Sequence, residues 1–423
     1  MSADRLVENV TCLGCGCGCD DVTVRVAQNR IVDVGPVCPR GRAWFGDGKV
    51  PSEIRSDGRP VSLEQALARI AGTLSQARGK CLVYLAPDLT SQAQRAALAI
   101  ADLLRATVDC ATSDTAANGL ITAQRRGRAG ATLGEIRNRG DVFLFWGVDP
   151  ENRYPRFLAR YGPEAVGTHI AEGRRGRFVI SVSVGGDRSL TGADLPITLP
   201  LDAEITALTL MRASVLGQEL PASPLAGQSA EIAGRLVRAR YAVLVHDAEP
   251  TAEQRNPLRA EALIALGQAL NGPTRAALCS LRDGGNVLGA ESALTSQTGY
   301  PFAVDYSGGY PRYRPERRGI AGVLSGAFRA ALVVGSPALD DPTRTALSTM
   351  TAAIIGPRAS EAPFPTSVAV DTGVAGIHEE GVGYRMDEVP LALRPSVDGP
   401  RSTADVLHAL TRAIQAELPA GAR

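Results

Sequence analysis

Lysine is almost absent from this 423-residue chain: of its 45 lysines and arginines, only Lys49 and Lys80 are lysines. Apolar runs such as Val142 to Gly147 are too short to cross a bilayer, so we expect no transmembrane helix and no membrane partner. The segment from Met1 to Glu8 lacks the basic and apolar regions of a secretory signal, so we expect a cytoplasmic protein. A formal net charge of +1 argues against bulk attraction to nucleic acid.

Arginine supplies all the other basic residues. Two interpretations of this bias stay open: a GC-rich genome, or selection for the planar guanidinium fork that binds carboxylates and phosphates. Hydrophobic residues make up 44% of the chain and charged residues 21%, which is typical of a folded globular protein. At roughly 150 residues per domain, the length predicts two or three domains.

Five of the eight cysteines fall within the first 38 residues. The spacing Cys12-x2-Cys15-x3-Cys19, followed by the remote Cys38, fits a [4Fe–4S] site. Tetrahedral zinc on four of the five thiolates and a loop that binds no metal are the alternatives. The remaining cysteines stand alone in apolar segments and are expected to be buried: Cys81, Cys110 and Cys279.

Hydrophobic patterns predict an α/β fold with a small β-rich unit at the N-terminus. Continuous apolar runs between helical segments indicate buried parallel strands. These runs are 81–86, 142–147, 178–184, 241–247, 276–281, 330–336, 352–356 and 367–371. Helices are predicted from Ser62 to Leu74 and over 91–104, 260–270 and 403–418.

The first three of these strands and the last five are expected to form two doubly wound α/β units, divided near residues 201–220, with a boundary loop over 221–228. The expected domains are an N-terminal cysteine-motif domain (1–56), a first α/β domain (57–205) and a second α/β domain with the C-terminal segment (206–423).

Four segments carry a family resemblance: CLGCGCGCDD, WGVDPENRYPRF, SQTGYPFAVDYSGGYPRYRPER and GIHEEGVGYRMDEVPLALRP. With them, the chain resembles the molybdopterin oxidoreductase superfamily and, more narrowly, the B subunit of formylmethanofuran dehydrogenase. Within that family it looks like the B subunit of the bacterial formyltransferase/hydrolase complex of methylotrophs.

The resemblance implies a role in one-carbon metabolism, in a complex that converts formyl-tetrahydromethanopterin to formate. The implied partners are an amidohydrolase-like A subunit, the C subunit, and a formyltransferase subunit. The implied carrier is a methanofuran analogue with a glutamate tail.

The sequence departs from that family at its metal ligand. The resemblance places a Cys-His-Gly segment upstream of the second apolar run, and this chain has Ala117, Asn118 and Gly119 there. Alanine cannot ligate a metal, and an amide does not shuttle protons near neutral pH. We therefore expect no molybdenum or tungsten pterin and a non-redox, structural subunit; the alternative is a catalytic subunit that holds a Mo/W-pterin. Without the pterin an iron–sulfur cluster has no electron to carry, so occupancy of the cysteine site is doubtful.

Arginines are the candidates for holding the anionic tail. Arg282 directly follows an apolar strand, at the edge where open α/β sheets bind ligands. Arg312 and Arg314 are the two other tail candidates. Other clustered arginines are Arg317, Arg318, Arg125, Arg126 and Arg128. Salt bridges at the surface or between subunits are the alternative role for all of them. The four histidines are scattered and are expected to be structural.

Overall fold

A computed structural model describes residues 4–186, 189–247, 258–317 and 328–419. The chain divides into two units. Unit 1 consists of Met1–Asp114, Gly284–Arg385 and Pro390–Arg423, and unit 2 of Thr115–Asp283 and Met386–Val389. Both units are discontinuous in sequence, since the chain leaves unit 1, builds most of unit 2 and then returns.

The predicted N-terminal β-rich segment is a three-stranded antiparallel sheet in unit 1: β1 (Arg5–Cys12), β2 (Cys19–Ala27) and β3 (Arg30–Gly35). Alternate residues of β2 point inward, and Val22 and Val24 are fully buried. The tight turn into β3 passes through Gln28 and Asn29, which both have positive φ. This pattern of strand, turn and strand confirms the predicted β-rich unit at the N-terminus.

A nine-stranded sheet forms the centre of unit 1. Its members are β4 (Ile54–Ser56), β5 (Arg59–Pro60), β6 (Cys81–Leu85), β7 (Thr107–Cys110), β13 (Val304–Asp305), β14 (Arg312–Tyr313), β15 (Ala330–Val334), β16 (Thr351–Gly356) and β17 (Val368–Asp371). The order is β14-β13-β7-β6-β15-β16-β17-β4-β5. The central five strands are parallel, and the short strands at both ends are antiparallel. The hairpin of β18 (Gly381–Tyr384) and β19 (Pro390–Leu393) completes the strands of unit 1.

The helices of unit 1 are α1 (Pro39–Phe45), α2 (Leu63–Gln76), α3 (Ser91–Leu104), α4 (Thr112–Thr115, whose last residue belongs to unit 2), α12 (Val287–Thr298), α13 (Asp341–Leu347) and α14 (Thr403–Glu417). Helices α2, α3 and α14 pack on the parallel strands of the sheet, and α1 packs on β1 and β3. The start of α2 is fixed by a capping box, in which Ser62 and Gln65 each accept a hydrogen bond from the other's backbone N–H. Its apolar stripe includes Ile70 and Leu74, which are 1% exposed. Helix α14 packs against α2 and α3.

Unit 2 contains a five-stranded, fully parallel sheet. Its strands are β8 (Val142–Trp146), β9 (Phe178–Val184), β10 (Leu195–Leu199), β11 (Ala242–Asp247) and β12 (Ala276–Leu281), in the order β10-β9-β8-β11-β12. Its helices are α5 (Ala117–Arg126), α6 (Leu133–Arg139), α7 (Pro150–Arg153), α8 (Phe157–Arg160), α9 (Glu204–Val215), α10 (Pro224–Val237) and α11 (Leu258–Leu270). Single 3-10 turns occur at Gly173–Gly176, Leu201–Ala203, Pro315–Arg317 and Ala359–Glu361.

Each predicted strand is present, but the expected grouping of strands was wrong. Strands β11 and β12 pair with β8 and β9, whereas β15, β16 and β17 pair with β6. Residues 201–220 therefore contain the 3-10 turn and α9 inside unit 2, and most of the expected loop 221–228 is the start of α10, whose N-cap is Ser223. Apolar composition does not predict which strands pair with one another, because strand pairing depends on long-range packing. The three-domain division at residues 56 and 205 stays a prediction. No helix among the described residues is both long and apolar enough to cross a membrane.

Candidate functional site

The carboxyl ends of the parallel strands in unit 2 carry polar side chains. Strands β11 and β12 are apolar until His246 and Ser280, which are cross-strand partners. The Oγ atom of Ser280 lies 3.2 Å from Nε2 of His246. Arg282 directly follows the end of β12, as predicted, and is 4% exposed. The guanidinium of Arg153 lies 3.9 Å from the carboxylate of Asp283. This edge thus combines a hydroxyl, an imidazole and two guanidinium groups.

A buried ion pair fixes the neighbouring strand end. Nε1 of Trp146 donates to Glu204 at 2.8 Å, and Nε of Arg259 lies 2.8 Å from the same oxygen. Arg259 also donates to the Trp146 carbonyl at 2.8 Å. Gly147 is required beside them, because it has φ of 56° and a Cβ there would lie 2.7 Å from the Arg259 guanidinium. The network satisfies two buried charges and holds the end of β8 in place.

The segment that the resemblance places at the metal ligand lies at the start of α5. Ala117 is the first residue of this helix and is 4% exposed, whereas Asn118 is exposed. A buried methyl group offers no lone pair to a metal, so these residues do not fit a molybdenum or tungsten pterin. Cys110, the nearest upstream thiol in sequence, is 1% exposed at the end of β7. Burial, with the nearby carboxylates Asp109 and Glu291, raises its pKa, which disfavours a thiolate.

The N-terminal cysteines are gathered in unit 1. Cys12 ends β1, Cys19 begins β2, and the two are cross-strand partners. Cys38 is the N-cap of α1, and its sulfur accepts a hydrogen bond from the Gly41 amide at 3.4 Å. Cys12 and Cys19 are buried, as is Cys15 in the connecting loop, and Cys38 is half-buried. Burial raises the pKa of Cys12 to about 12, with a smaller contribution from the three neighbouring thiols.

A second segment of unit 1 holds the cysteine loop. The Gly285 amide donates to the Leu13 carbonyl at 2.7 Å, and a Cβ on Gly284 would lie 2.8 Å from the Gly14 carbonyl. Asn286 follows them and is fully buried. Its side chain donates to the Leu89 carbonyl and accepts from the Tyr384 amide. Glycine is needed for this close approach of two backbones.

The thiols of Cys12, Cys15, Cys19 and Cys38 lie near one another. Within the described ranges, however, no set of three or more His, Cys, Asp or Glu side chains is placed to hold a metal ion. The structure therefore gives no support to a [4Fe–4S] cluster or zinc at these thiols. Cys81 is 0% exposed and Cys279 is 5% exposed. Together with the buried Cys110, they confirm the prediction that these three cysteines are buried.

Arg312 and Arg314 are brought together in unit 1 on one carboxylate. Arg312 donates to Asp305 at 2.9 Å and to Ser307 at 2.8 Å, and Arg314 lies 3.7 Å from Asp305. Burial would raise the pKa of Asp305, but hydrogen bonds from Ser307 and the two guanidinium charges lower it overall. Arg314 also lies 3.6 Å from the exposed carboxylate of Glu316, so the two guanidinium groups face two carboxylates. Tyr313 between them stacks on Tyr300, with ring centroids 5.1 Å apart.

The other arginine clusters are partly neutralised by carboxylates. Arg126 forms two hydrogen bonds with Glu261, and Arg128 lies 2.7 Å from Glu388. These exposed pairs support the surface salt-bridge alternative for that cluster. The expectation for Arg318 and for the side chain of Arg317 lies outside the described residues.

A cavity of about 880 Å³ opens in unit 1 between the β18–β19 hairpin and the N-terminal ends of α3 and α14. Its charged and titratable lining residues are His378, Glu379, Glu380, Arg394, Asp405 and His408. Glu379 is 6% exposed, and its Oε1 accepts from the amide and hydroxyl of Thr403 at 2.7 and 2.8 Å. Burial raises its pKa to about 7.

His378 confirms the structural role expected of it. Its Nε2 donates to the Gly48 carbonyl at 2.7 Å, and its Nδ1 accepts from the Val374 amide at 3.1 Å. Burial lowers its pKa, which favours the neutral ring.

The structure places the predicted site residues in separate groups. Cys12, Cys15, Cys19 and Cys38 form one group in unit 1, and Arg312 and Arg314 form another. Ala117, Asn118 and Arg282 belong to unit 2. Sequence reasoning missed the His246–Ser280 pair and Glu379. A polar residue in the last positions of an otherwise apolar strand was the available signal for the pair.

No model of a protein family matches the chain. Two curated relatives match over nearly their whole length. The chain is 30% identical over 413 residues to the B subunit of the tungsten-containing formylmethanofuran dehydrogenase 2 of Methanocaldococcus jannaschii, covering 94% of this chain and 95% of that protein. It is 28% identical over 430 residues to the protein of the same name from Methanococcus maripaludis, covering 97% and 99%.

The fold is also similar to a solved structure. A chain in the crystal structure of the formyltransferase/hydrolase complex of Methylorubrum extorquens with methylofuran superposes with a TM-score of 0.73. The sequence identity is 22%, and the match covers 86% of this chain and 99% of that chain.

Proposed function

This chain belongs to the family of the formylmethanofuran dehydrogenase B subunit, and from that premise we propose that it is a non-redox subunit of a formyltransferase/hydrolase complex. The carrying observation is Ala117, whose buried methyl group stands where the resemblance places the metal ligand. Similarity to a chain of a formyltransferase/hydrolase complex supports the same assignment.

The proposed role is to dock the other subunits and to hold the carrier. The partners are the amidohydrolase-like A subunit, the C subunit, and the formyltransferase subunit, in the cytoplasm. The carrier is a methanofuran-type molecule with a glutamate tail. A tail held by its carboxylates keeps the reactive end at high effective concentration near two active sites.

Arg282, Arg312 and Arg314 are the proposed tail contacts. Guanidinium groups bind carboxylates through paired hydrogen bonds, each worth roughly 1.5–3 kcal/mol when partly desolvated. Asp305 already engages Arg312 and Arg314, and Glu316 lies 3.6 Å from Arg314, so a tail carboxylate would take the place of the exposed Glu316 carboxylate at Arg314. Buried Arg282 forms a separate contact at the carboxyl edge of unit 2.

The test is the carrier content of the purified complex, together with conversion of the formyl donor to formate. We expect the R282A/R312A/R314A variant to lose most bound carrier while the subunits still co-purify. The matched control is R25A/R30A/R55A, which removes three arginines in exposed ion pairs of unit 1. Full carrier occupancy in the first variant would place the tail elsewhere, and failure of the wild-type chain to co-purify with the other subunits would refute the complex.

The second candidate function is catalytic: a formylmethanofuran dehydrogenase subunit that holds a Mo/W-pterin. It is favoured by the full-length similarity to proteins that are named as tungsten-containing. Metal analysis separates the two candidates. Stoichiometric tungsten or molybdenum with pterin in the purified complex would support this second function and overturn the first.

A further inference from the structure

The pair His246 and Ser280 lies where two apolar strands of unit 2 end. Residues Ala242 to Val245 of β11 are fully buried and apolar, and the polar side chains begin only at the strand ends. His246 and Ser280 are both half-buried, so they can be reached from solvent. Because they are register partners on neighbouring parallel strands, their side chains lie on the same face of the sheet.

The contact between them has the geometry of a nucleophile and its base. The serine Oγ lies 3.2 Å from Nε2 of the imidazole, which allows the hydroxyl to donate when Nδ1 carries the ring proton. This distance is at the long end of catalytic hydrogen bonds, as is common before a substrate is bound. The pair also lies at the carboxyl edge of a parallel sheet, where open α/β folds bind their ligands.

We propose that Ser280 and His246 form an acyl-accepting pair that reacts with small activated acyl compounds. Ser280 Oγ attacks the acyl carbon while His246 Nε2 takes the hydroxyl proton. The bond from the acyl carbon to the leaving group then breaks, and the imidazolium returns the proton to that group. Water hydrolyses the resulting serine ester with His246 again as base, which releases the acid and restores the hydroxyl. No electrons are transferred.

The experiment uses the purified full chain and p-nitrophenyl acetate as the probe. We expect a burst of p-nitrophenolate and one added acetyl group on the peptide that contains Ser280, detected by mass spectrometry. S280A should remove both signals, and H246N should slow acylation by about 10²-fold, the usual contribution of a general base. S280C keeps a nucleophile at the site and should be acylated. The control is S189A, at an exposed serine of the same unit, which should behave as the wild type.

Three results would overturn the proposal: no acetyl group on Ser280, a burst that persists in S280A, or equal acylation rates in H246N and the wild type. The proposal does not depend on membership of a formyltransferase/hydrolase complex. Co-purification of partner subunits and carrier content test that membership.

Discussion

Replacing Glu379 with Gln should remove a pH-dependent loss of stability. Glu379 is 6% exposed, and burial raises its pKa from 4.5 to about 7; burial outweighs the hydrogen bonds from Thr403, which lower the pKa, and the charges of Asp405 and Asp88 raise it slightly further. Because the folded carboxyl holds its proton at pH values where the unfolded one has lost it, stability falls as pH rises from about 4.5 to about 7. Each pKa unit corresponds to about 1.4 kcal/mol, so the full penalty is about 3 kcal/mol above that range.

Glutamine keeps the acceptor that Thr403 needs. Both hydrogen bonds from Thr403 end on Oε1, and an amide oxygen can accept both. The amide does not ionise, so the penalty disappears. We expect the free energy of unfolding of E379Q, relative to the wild type, to increase by about 2–3 kcal/mol between about pH 5 and about pH 8.

The assay is urea unfolding of the purified chain, followed by circular dichroism at both pH values. His378 titrates in both proteins, and its lowered pKa acts in the opposite direction, so only the difference between variant and wild type isolates Glu379. Glu380→Gln is the matched control, since it removes one carboxylate charge at the exposed neighbouring position. A difference between E379Q and the wild type that does not change with pH would refute the reasoning.

Three further predictions concern the buried ion pair, the cysteines and redox activity. Glu204→Ala should lower the free energy of unfolding in urea by about 3–5 kcal/mol, because it leaves the Arg259 guanidinium buried without its counter-charge. The control is Glu219→Ala, at an exposed carboxylate. A loss below about 1 kcal/mol in Glu204→Ala would contradict the argument. Changing Cys12, Cys15, Cys19 and Cys38 together to Ser should leave folding and assembly intact, since the described side chains form no metal-binding set. Loss of assembly would indicate a structural metal, which contributes on the order of 10 kcal/mol to the folding free energy of small modules. The purified complex should not reduce viologen dyes with formate, because Ala117 cannot ligate a metal, and dye reduction that depends on this chain would overturn that view.

The apolar runs located eight of the fourteen strands in the two large sheets and missed β4, β5, β7, β10, β13 and β14, which have two to five residues each. Val142–Trp146 and Phe178–Val184 occupy their predicted positions to within one residue, because a strand buried on both faces must be apolar at every position. The start of a helix also depends on residues that lie close together in the sequence. Ser62 caps α2 through contacts that span three residues, so the pattern is visible in the sequence.

The candidate site was less accessible from sequence. Arg282 could be placed at a strand end because its position depends only on the strand before it. By contrast, the pairing of Arg312 and Arg314 on Asp305 depends on a hairpin between two short strands of two residues each, which have too little pattern to recognise. The pKa of Glu379 depends on burial beside α14, whose first residue follows it by 24 positions.

What the sequence determined by itself was the position of eight strands and four helices, together with the family resemblance, since these are carried by residues close together along the chain. The tertiary structure alone decided which strands share a sheet and which side chains meet. His246 and Ser280 are 34 positions apart and become neighbours only because β11 and β12 pair in that register. Register is set by the packing of whole sheets and helices, so a local pattern does not contain it.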